Sequence, residues 1–288
     1  MNYEKFVQEM KCCIEMKLLN QEKIERQEIL KNNGKKYIGL SIRKPEEDVV
    51  PIIYLEEFYE RFLNGELLEN LSEEIILIRN SSAVPSRSSY EWIFDFQKIQ
   101  GRIIYRLVNF EKNKELLKEI PHLPMMDLAI IFSVVLPGNQ TDYYSLLIRN
   151  EHINLWKVPI SLLYETARKN TPRICRKIFR PLANHLSMLG EWEDFWSPLW
   201  ILTNEQGIYG AAALLYPGML QKIHQQLNCN YYLLPSSIHE FLVVPELYCD
   251  SYEELQKIVY GANATVIEQN EFLSDSVYYF NGKNITKV

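Results

Sequence analysis

The sequence predicts an α+β fold: antiparallel-rich sheets built from repeated strand–strand–helix units, with helices packed on one face. Two observations predict it. The C-terminal half reads strand, strand, helix three times, over 127–170, 198–227 and 230–262. Upstream, Asn33-Gly34 stands between two extended runs, a strong hairpin pattern because both turn residues must take positive φ. A parallel nucleotide-binding sheet needs single strands alternating with helices, and the order read here is different.

The elements follow in order. Residues 3–19 carry Phe6, Met10, Cys13 and Ile14 at three- and four-residue steps, the period of a helix with one buried face. Glu4 suits its positive end. Residues 22–44 make the hairpin, with 31–35 as its turn. A third extended run, 49–55, contains Pro51 and is expected at a sheet edge. Residues 56–64 form a short helix stopped at Gly65. The next helix, 66–79, puts Leu67, Leu68, Leu71, Ile75 and Ile76 on one side, and 80–89 is a polar loop. Residues 90–100 read as helix, 102–108 as strand and 109–119 as a polar helix. Pro121-His122-Leu123-Pro124 then punctuates the chain. It divides an N-terminal α+β region, 1–120, from a C-terminal region, 121–288, unless the two are one continuous domain.

In the C-terminal region, 128–136 and 143–149 are expected strands and 161–170 a helix. The second unit is read as strands 200–203 and 211–216 with helix 218–227; the third as strands 231–234 and 240–244 with helix 252–262. Residues 146–151 parallel 200–205, through internal duplication or chance.

Composition narrows the function classes. The 288 residues allow one large domain or two ordinary ones. A mix of 47% hydrophobic and 24% charged residues excludes a disordered or low-complexity chain. A net charge of −6 and a pI near 5.6 exclude a binder that coats nucleic acid with its whole surface. Met1 is not followed by a basic and then an apolar stretch, so no signal peptide is expected. The longest apolar run, 128–137, falls short of the roughly 20 residues of a spanning helix. Five scattered cysteines, Cys12, Cys13, Cys175, Cys229 and Cys249, contain no CxxC and read as free thiols in a reducing cytoplasm. The Cys12-Cys13 pair reads as two helix residues before it reads as a redox or metal site.

From residue 36 onward several blocks resemble a known family. They are Val108-Asn109-Phe110-Glu111-Lys112-Asn113-Lys114-Glu115-Leu116-Leu117, Pro121-His122-Leu123 and Asp127-Leu128-Ala129-Ile130. Further on come Glu165-Thr166-Ala167, Asn170-Thr171-Pro172-Arg173, Leu202-Thr203-Asn204 and Gly210-Ala211-Ala212. Leu233-Leu234-Pro235-Ser236-Ser237-Ile238-His239-Glu240 and Leu273-Ser274-Asp275 complete the set. Across nearly the whole chain the pattern resembles a domain-of-unknown-function family of Gram-positive gut anaerobes. The resemblance implies many paralogous copies per genome and a bacterial cytoplasmic setting. It implies no reaction, ligand or catalytic residue.

Candidate chemistry is sparse. Ser236, Ser237, His239 and Glu240 bring together the side chains of an acyl-transfer site. Their spacing does not make a self-contained triad, there is no Gly-x-Ser-x-Gly elbow, and the other reading is a turn after Pro235. Val243 stands where a zinc-protease motif needs its second histidine. His122, His152, His185, His224 and His239 show no ligand spacing, so no metal is expected. The glycines form neither GxxxxGK[ST] nor GxGxxG, which argues against NTP hydrolysis and Rossmann redox chemistry, and no cofactor is expected.

Two segments stand out by charge. Arg168, Lys169, Arg173, Arg176, Lys177 and Arg180 contain no acid among them. If a helix starts at Pro172, then Arg173, Arg176, Lys177 and Arg180 fall at i, i+3, i+4 and i+7 on one face, a surface for nucleic-acid phosphates or another anion. A solvated face is the bland reading. Glu191-Trp192-Glu193-Asp194-Phe195-Trp196 is acidic and aromatic. Trp192, Phe195 and Trp196 are candidates for a protein interface, or they cap the core. The first expectation is a non-enzymatic cytoplasmic interaction or adaptor protein with an unknown protein partner and no membrane association. The second is a nucleic-acid-associated protein acting through a basic helix at 168–180. The third is a hydrolase using Ser236 or Ser237 with His239.

Overall fold

The computed structural model describes residues 1–18, 21–45, 47, 50–81, 91–136, 145–188, 198–249 and 251–288. The chain divides into two compact units, Met1–Lys31 with Lys35–Ile93, and Asn32–Gly34 with Phe94–Val288. The division falls at 93/94 and not at 120/121. Strand β5 (His122–Met125) pairs with β6 (Leu128–Val135), which pairs in turn with β4 (Ile103–Asn109), so a cut at 120 would split one sheet.

The first unit opens with α1 (Tyr3–Lys17), capped by the Asn2 side chain, which accepts from the Lys5 N–H at 2.9 Å. Strands β1 (Lys23–Leu30), β2 (Lys36–Arg43) and β3 (Ile53–Tyr54) form an antiparallel sheet in that order. The hairpin is as the sequence predicts, with Asn33 at φ 58° and Gly34 at φ 72°, although its connection is longer than a two-residue turn, because Leu30 pairs with Lys36. Two helices follow, α2 (Glu56–Leu63) and α3 (Leu68–Ser81). Phe6, Met10, Ile14, Leu40, Ile42, Leu55, Leu71 and Ile75 close the core of this unit. Arg79 is buried there, donating to the Ile42 carbonyl at 2.6 Å and paired with Glu47, which satisfies a charge that would otherwise be costly to bury.

The second unit holds two antiparallel sheets. In the smaller, one side of β6 pairs with β4 while its other side is shared by β5 and β7 (Ser145–Leu147). Around it lie the short helices α4 (Phe96–Ile99), α5 (Lys114–Glu119) and α6 (Asn150–Trp156), and α7 (Ile160–Ile174), which packs on β4 and β6. The larger sheet has the order β13-β12-β10-β11-β9-β8. Its strands are β8 (Lys177–Pro181), β9 (Trp200–Asn204), β10 (Tyr231–Ser237), β11 (Glu240–Pro245), β12 (Tyr278–Phe280) and β13 (Ile285–Lys287). Helices α8 (Leu182–Met188), α9 (Met219–Leu227) and α10 (Tyr252–Thr265) complete the unit. Leu234, Val244, Leu255, Val259 and Val277 seat α10 on β10.

An asparagine network ties Asn32–Gly34 into this second unit. The Asn33 N–H donates to the Asn113 side-chain carbonyl at 2.9 Å, and the Asn113 amide returns a bond to the Asn33 side chain at 2.9 Å. The Asn33 amide also donates to the Gln269 and Phe272 carbonyls, both at 2.7 Å. Asn33 and Asn113 are buried, so each of these polar groups needs the other.

Several expectations are corrected. Residues 90–100 are not one helix: a 3-10 turn (Glu91–Phe94) gives way to α4, which restarts at Asp95, whose carboxylate accepts from the Gln97 N–H at 3.0 Å. The expected strand at 211–216 is a buried 3-10 helix, Gly210–Leu215. A short apolar run does not distinguish the two; here Tyr209 turns the chain at φ 53° and the Ala212 N–H bonds back to the Tyr209 carbonyl at 3.3 Å. The strand–strand–helix repeat is therefore not confirmed in its second unit. Residues 146–151 and 200–205 also part company: Asn150 begins α6, whereas Asn204 ends β9 and accepts from the Gln206 N–H at 3.1 Å. The basic segment is not one helix, because the chain leaves α7 after Ile174 and 177–181 pair as strand β8 with β9.

No helix among the described residues is long and apolar enough to cross a membrane. Gly261, exposed within α10, has nothing within 4 Å of where a Cβ would stand. Gly261→Ala is expected to stabilise the chain by about 0.5–1 kcal/mol, the helix-propensity difference, read as a higher urea midpoint; a lower midpoint would contradict it.

Candidate functional site

Helix α7 turns Leu163, Ala167, Asn170 and Thr171 inward. The Asn170 amide donates to the Gln100 and Ile103 carbonyls at 2.6 and 3.1 Å, and the Thr171 hydroxyl accepts from the Tyr105 N–H at 3.1 Å. With that face pinned, Glu165, Arg168, Lys169 and Pro172 fall at i, i+3, i+4 and i+7 on another. Pro172 lies within the last turn, where its missing N–H costs one hydrogen bond near the helix end. The chain reverses into β8 and brings Lys177 beside this face. Tyr216 is fixed by donating its hydroxyl to the Cys175 carbonyl at 2.5 Å. Gly218, at φ 70°, turns the backbone into α9, which carries Met219 and Lys222.

These elements enclose a groove of about 520 Å³. Among the described residues Arg168, Lys169, Lys177 and Lys222 line it, with Glu165 the one carboxylate and Pro172, Tyr216, Pro217 and Met219 as its carbon walls. Among the described residues none of the four cations is in an ion pair. Glu165 stands three and four residues before Arg168 and Lys169 without pairing with either. The first turn of α9 holds no acid and is followed by Lys222, so the helix dipole adds to the positive charge rather than offsetting it.

Three of the six cations marked in the sequence, Arg168, Lys169 and Lys177, therefore meet, and three do not line the groove. The Arg173 guanidinium donates to the Gly101 carbonyl at 2.9 Å. Arg180 is three residues along β8 from Lys177, hence on its opposite face, and lies against Met188. Arg176 is exposed outside the groove. Sequence reasoning missed Lys222, although a lysine near the start of a predicted helix without a neighbouring acid was a usable sign.

The Ser236–Glu240 constellation is arranged otherwise. A bulge after Pro235 sets Ser237 opposite Glu240 across the β10–β11 turn. The Ser237 hydroxyl accepts from the His239 backbone N–H at 3.0 Å, and the Ser236 hydroxyl donates to Glu240 at 3.2 Å. On the imidazole, Nδ1 accepts the Tyr209 N–H at 3.1 Å, so the ring proton is on Nε2, which faces Glu271 at 3.4 Å. Among the described residues no hydrogen bond joins the His239 imidazole to the Ser236 or Ser237 hydroxyl. The Tyr209 ring lies between His239, with ring centroids 5.8 Å apart, and the buried Arg106 guanidinium, 3.7 Å from the Tyr209 centroid.

Trp192, Phe195 and Trp196 lie outside the described residues. Among the described residues no group of three or more His, Cys, Asp or Glu side chains could hold a metal ion. Cys12 is exposed and Cys175 buried.

The model of a family of unknown function, DUF5688, matches residues 3–282. No curated protein and no solved structure matches the chain.

Proposed function

From the premise that the chain belongs to the DUF5688 family of unknown function, we propose that it is a binding protein for a phosphate-bearing ligand, which it takes into the basic groove of its second unit. One observation carries the reading: Arg168, Lys169, Lys177 and Lys222 converge on one cavity with no ion-pair partner among the described residues, in a chain whose net charge is −6. Gathering like charges is unfavourable, and an anion bound among them relieves the repulsion while forming charge-assisted hydrogen bonds. Five scattered cysteines with no CxxC fit a reducing cytoplasm as the place where this happens.

Calorimetric titration of inorganic pyrophosphate into the full chain tests the reading. Binding is expected at low salt and is expected to weaken as salt rises. Arg168→Glu combined with Lys222→Glu should reduce affinity at least a hundredfold, about tenfold or 1.4 kcal/mol per cation removed. Lys257→Glu on α10, outside the groove, should change it little. Absence of binding at low salt, or equal affinity in the double variant, would remove the proposal.

A further inference from the structure

We infer that the ligand of this groove is small and carries two or three phosphates together with a flat ring whose faces pack on carbon, the chemistry of a nucleoside diphosphate, and that it is not a nucleic-acid strand. The inference rests on the anion-binding reading above and specifies it. Three features of the groove carry it.

The first is where the charge sits. A single strand is tracked by cations strung along its path, matching successive phosphates. Here the cations are gathered at one place, while Arg173 and Arg180 of the same segment turn to Gly101 and Met188. The second is the balance of charge and size. Among the described residues four cations against Glu165 leave three positive charges in excess, which a diphosphate or triphosphate answers better than one phosphate. The volume of about 520 Å³ lies within the roughly 300–1,000 Å³ of small-molecule sites. The third is the wall. Pro172 and Pro217 offer carbon surface, and the hydroxyl of the buried Tyr216 is already engaged by Cys175, so it is not a donor for phosphate. The phosphates are held by side chains, with no glycine-rich loop required.

Competition against a fluorescent nucleoside diphosphate on the full chain decides the matter. The competitors are adenosine diphosphate, uridine diphosphate, inorganic pyrophosphate, adenosine and a single-stranded oligonucleotide. The diphosphates should compete at least tenfold better than pyrophosphate, and adenosine should not compete. Pro217→Ala, at an exposed position, should narrow the gap between adenosine diphosphate and pyrophosphate. Pyrophosphate competing as well as the nucleotides would overturn the ring subsite and leave the anion groove standing. An oligonucleotide binding more tightly than the diphosphates would replace the small ligand by a strand. Failure of every phosphate compound to bind would overturn the inference and the anion-binding reading together.

Discussion

Gly210→Ala is expected to cost about 3 kcal/mol of stability, at the upper end of what one added methyl group does in a packed interior. A Cβ at Gly210 would stand 2.2 Å from the Thr203 hydroxyl, 2.4 Å from the His239 carbonyl oxygen and 2.8 Å from the Asn204 nitrogen. Two of those atoms are backbone. The third is held by a hydrogen bond of 2.8 Å that Thr203 donates to the same His239 carbonyl. The methyl group would therefore wedge apart the end of β9 and the β10–β11 turn. The backbone at Gly210 is not left-handed, so the cost is one of space alone. Gly101→Ala is the control: nothing lies within 4 Å of its Cβ position, and it should stay within about 0.5 kcal/mol of wild type. Urea unfolding of the two variants compares them directly. Equal midpoints would mean that the 3-10 segment does not press on its neighbours as described.

Asp127→Ala should cost about 3–5 kcal/mol at neutral pH. The Asp127 carboxylate accepts from three hydroxyls: Ser274 at 2.6 Å, Ser276 at 2.9 Å and Tyr278 at 2.8 Å. Ser274 in turn accepts from the Ser276 N–H at 2.8 Å, so removing the acid strands an organised set of donors. Burial pushes the Asp127 carboxyl upward, but the hydroxyls of Ser274, Tyr278 and Ser276 outweigh it and hold the carboxyl below its ordinary range. The sign of the pH effect follows. With its folded pKa below the unfolded value of about 3.9, Asp127 contributes fully above that value, and the contribution fades as pH falls through the folded pKa. The stability gap between wild type and Asp127→Asn should thus be largest near pH 7 and shrink on acidification below about pH 4. Urea midpoints at pH 7 and pH 3 measure it, and a gap that widens in acid would show that the hydroxyls do not stabilise the charged form.

What could be read from the sequence was what is encoded locally. Phe6, Met10 and Ile14 repeat at helical steps within a single element, and α1 is where they place it. Asn33 and Gly34 need positive φ wherever the hairpin ends up. Residues 211–215 are different. Their apolar run suits a strand as well as a 3-10 helix, and the choice is made by Gly210, which can approach Thr203 and His239 because it has no side chain. Lys177 and Arg180 suit a basic helix by spacing, but pairing with β9 across some twenty residues of chain makes them strand neighbours with opposite faces. The groove was legible on the α7 side, where Arg168 and Lys169 are adjacent. It was hidden on the α9 side, because Lys222 reaches it only through the turn at Tyr216, Pro217 and Gly218.

The asparagine network has a bearing on heredity. Asn32–Gly34 are encoded inside the first unit but counted with the second. A gene segment that starts at codon 94 therefore does not carry the whole of the second unit. It lacks Asn33, and the Gln269 and Phe272 carbonyls and the Asn113 amide lose the partners that Asn33 supplies. Recombination at that junction between divergent copies would join a loop from one parent to acceptors from the other. Such hybrids keep the network only where the incoming residue at 33 is again an asparagine able to take φ near 58°.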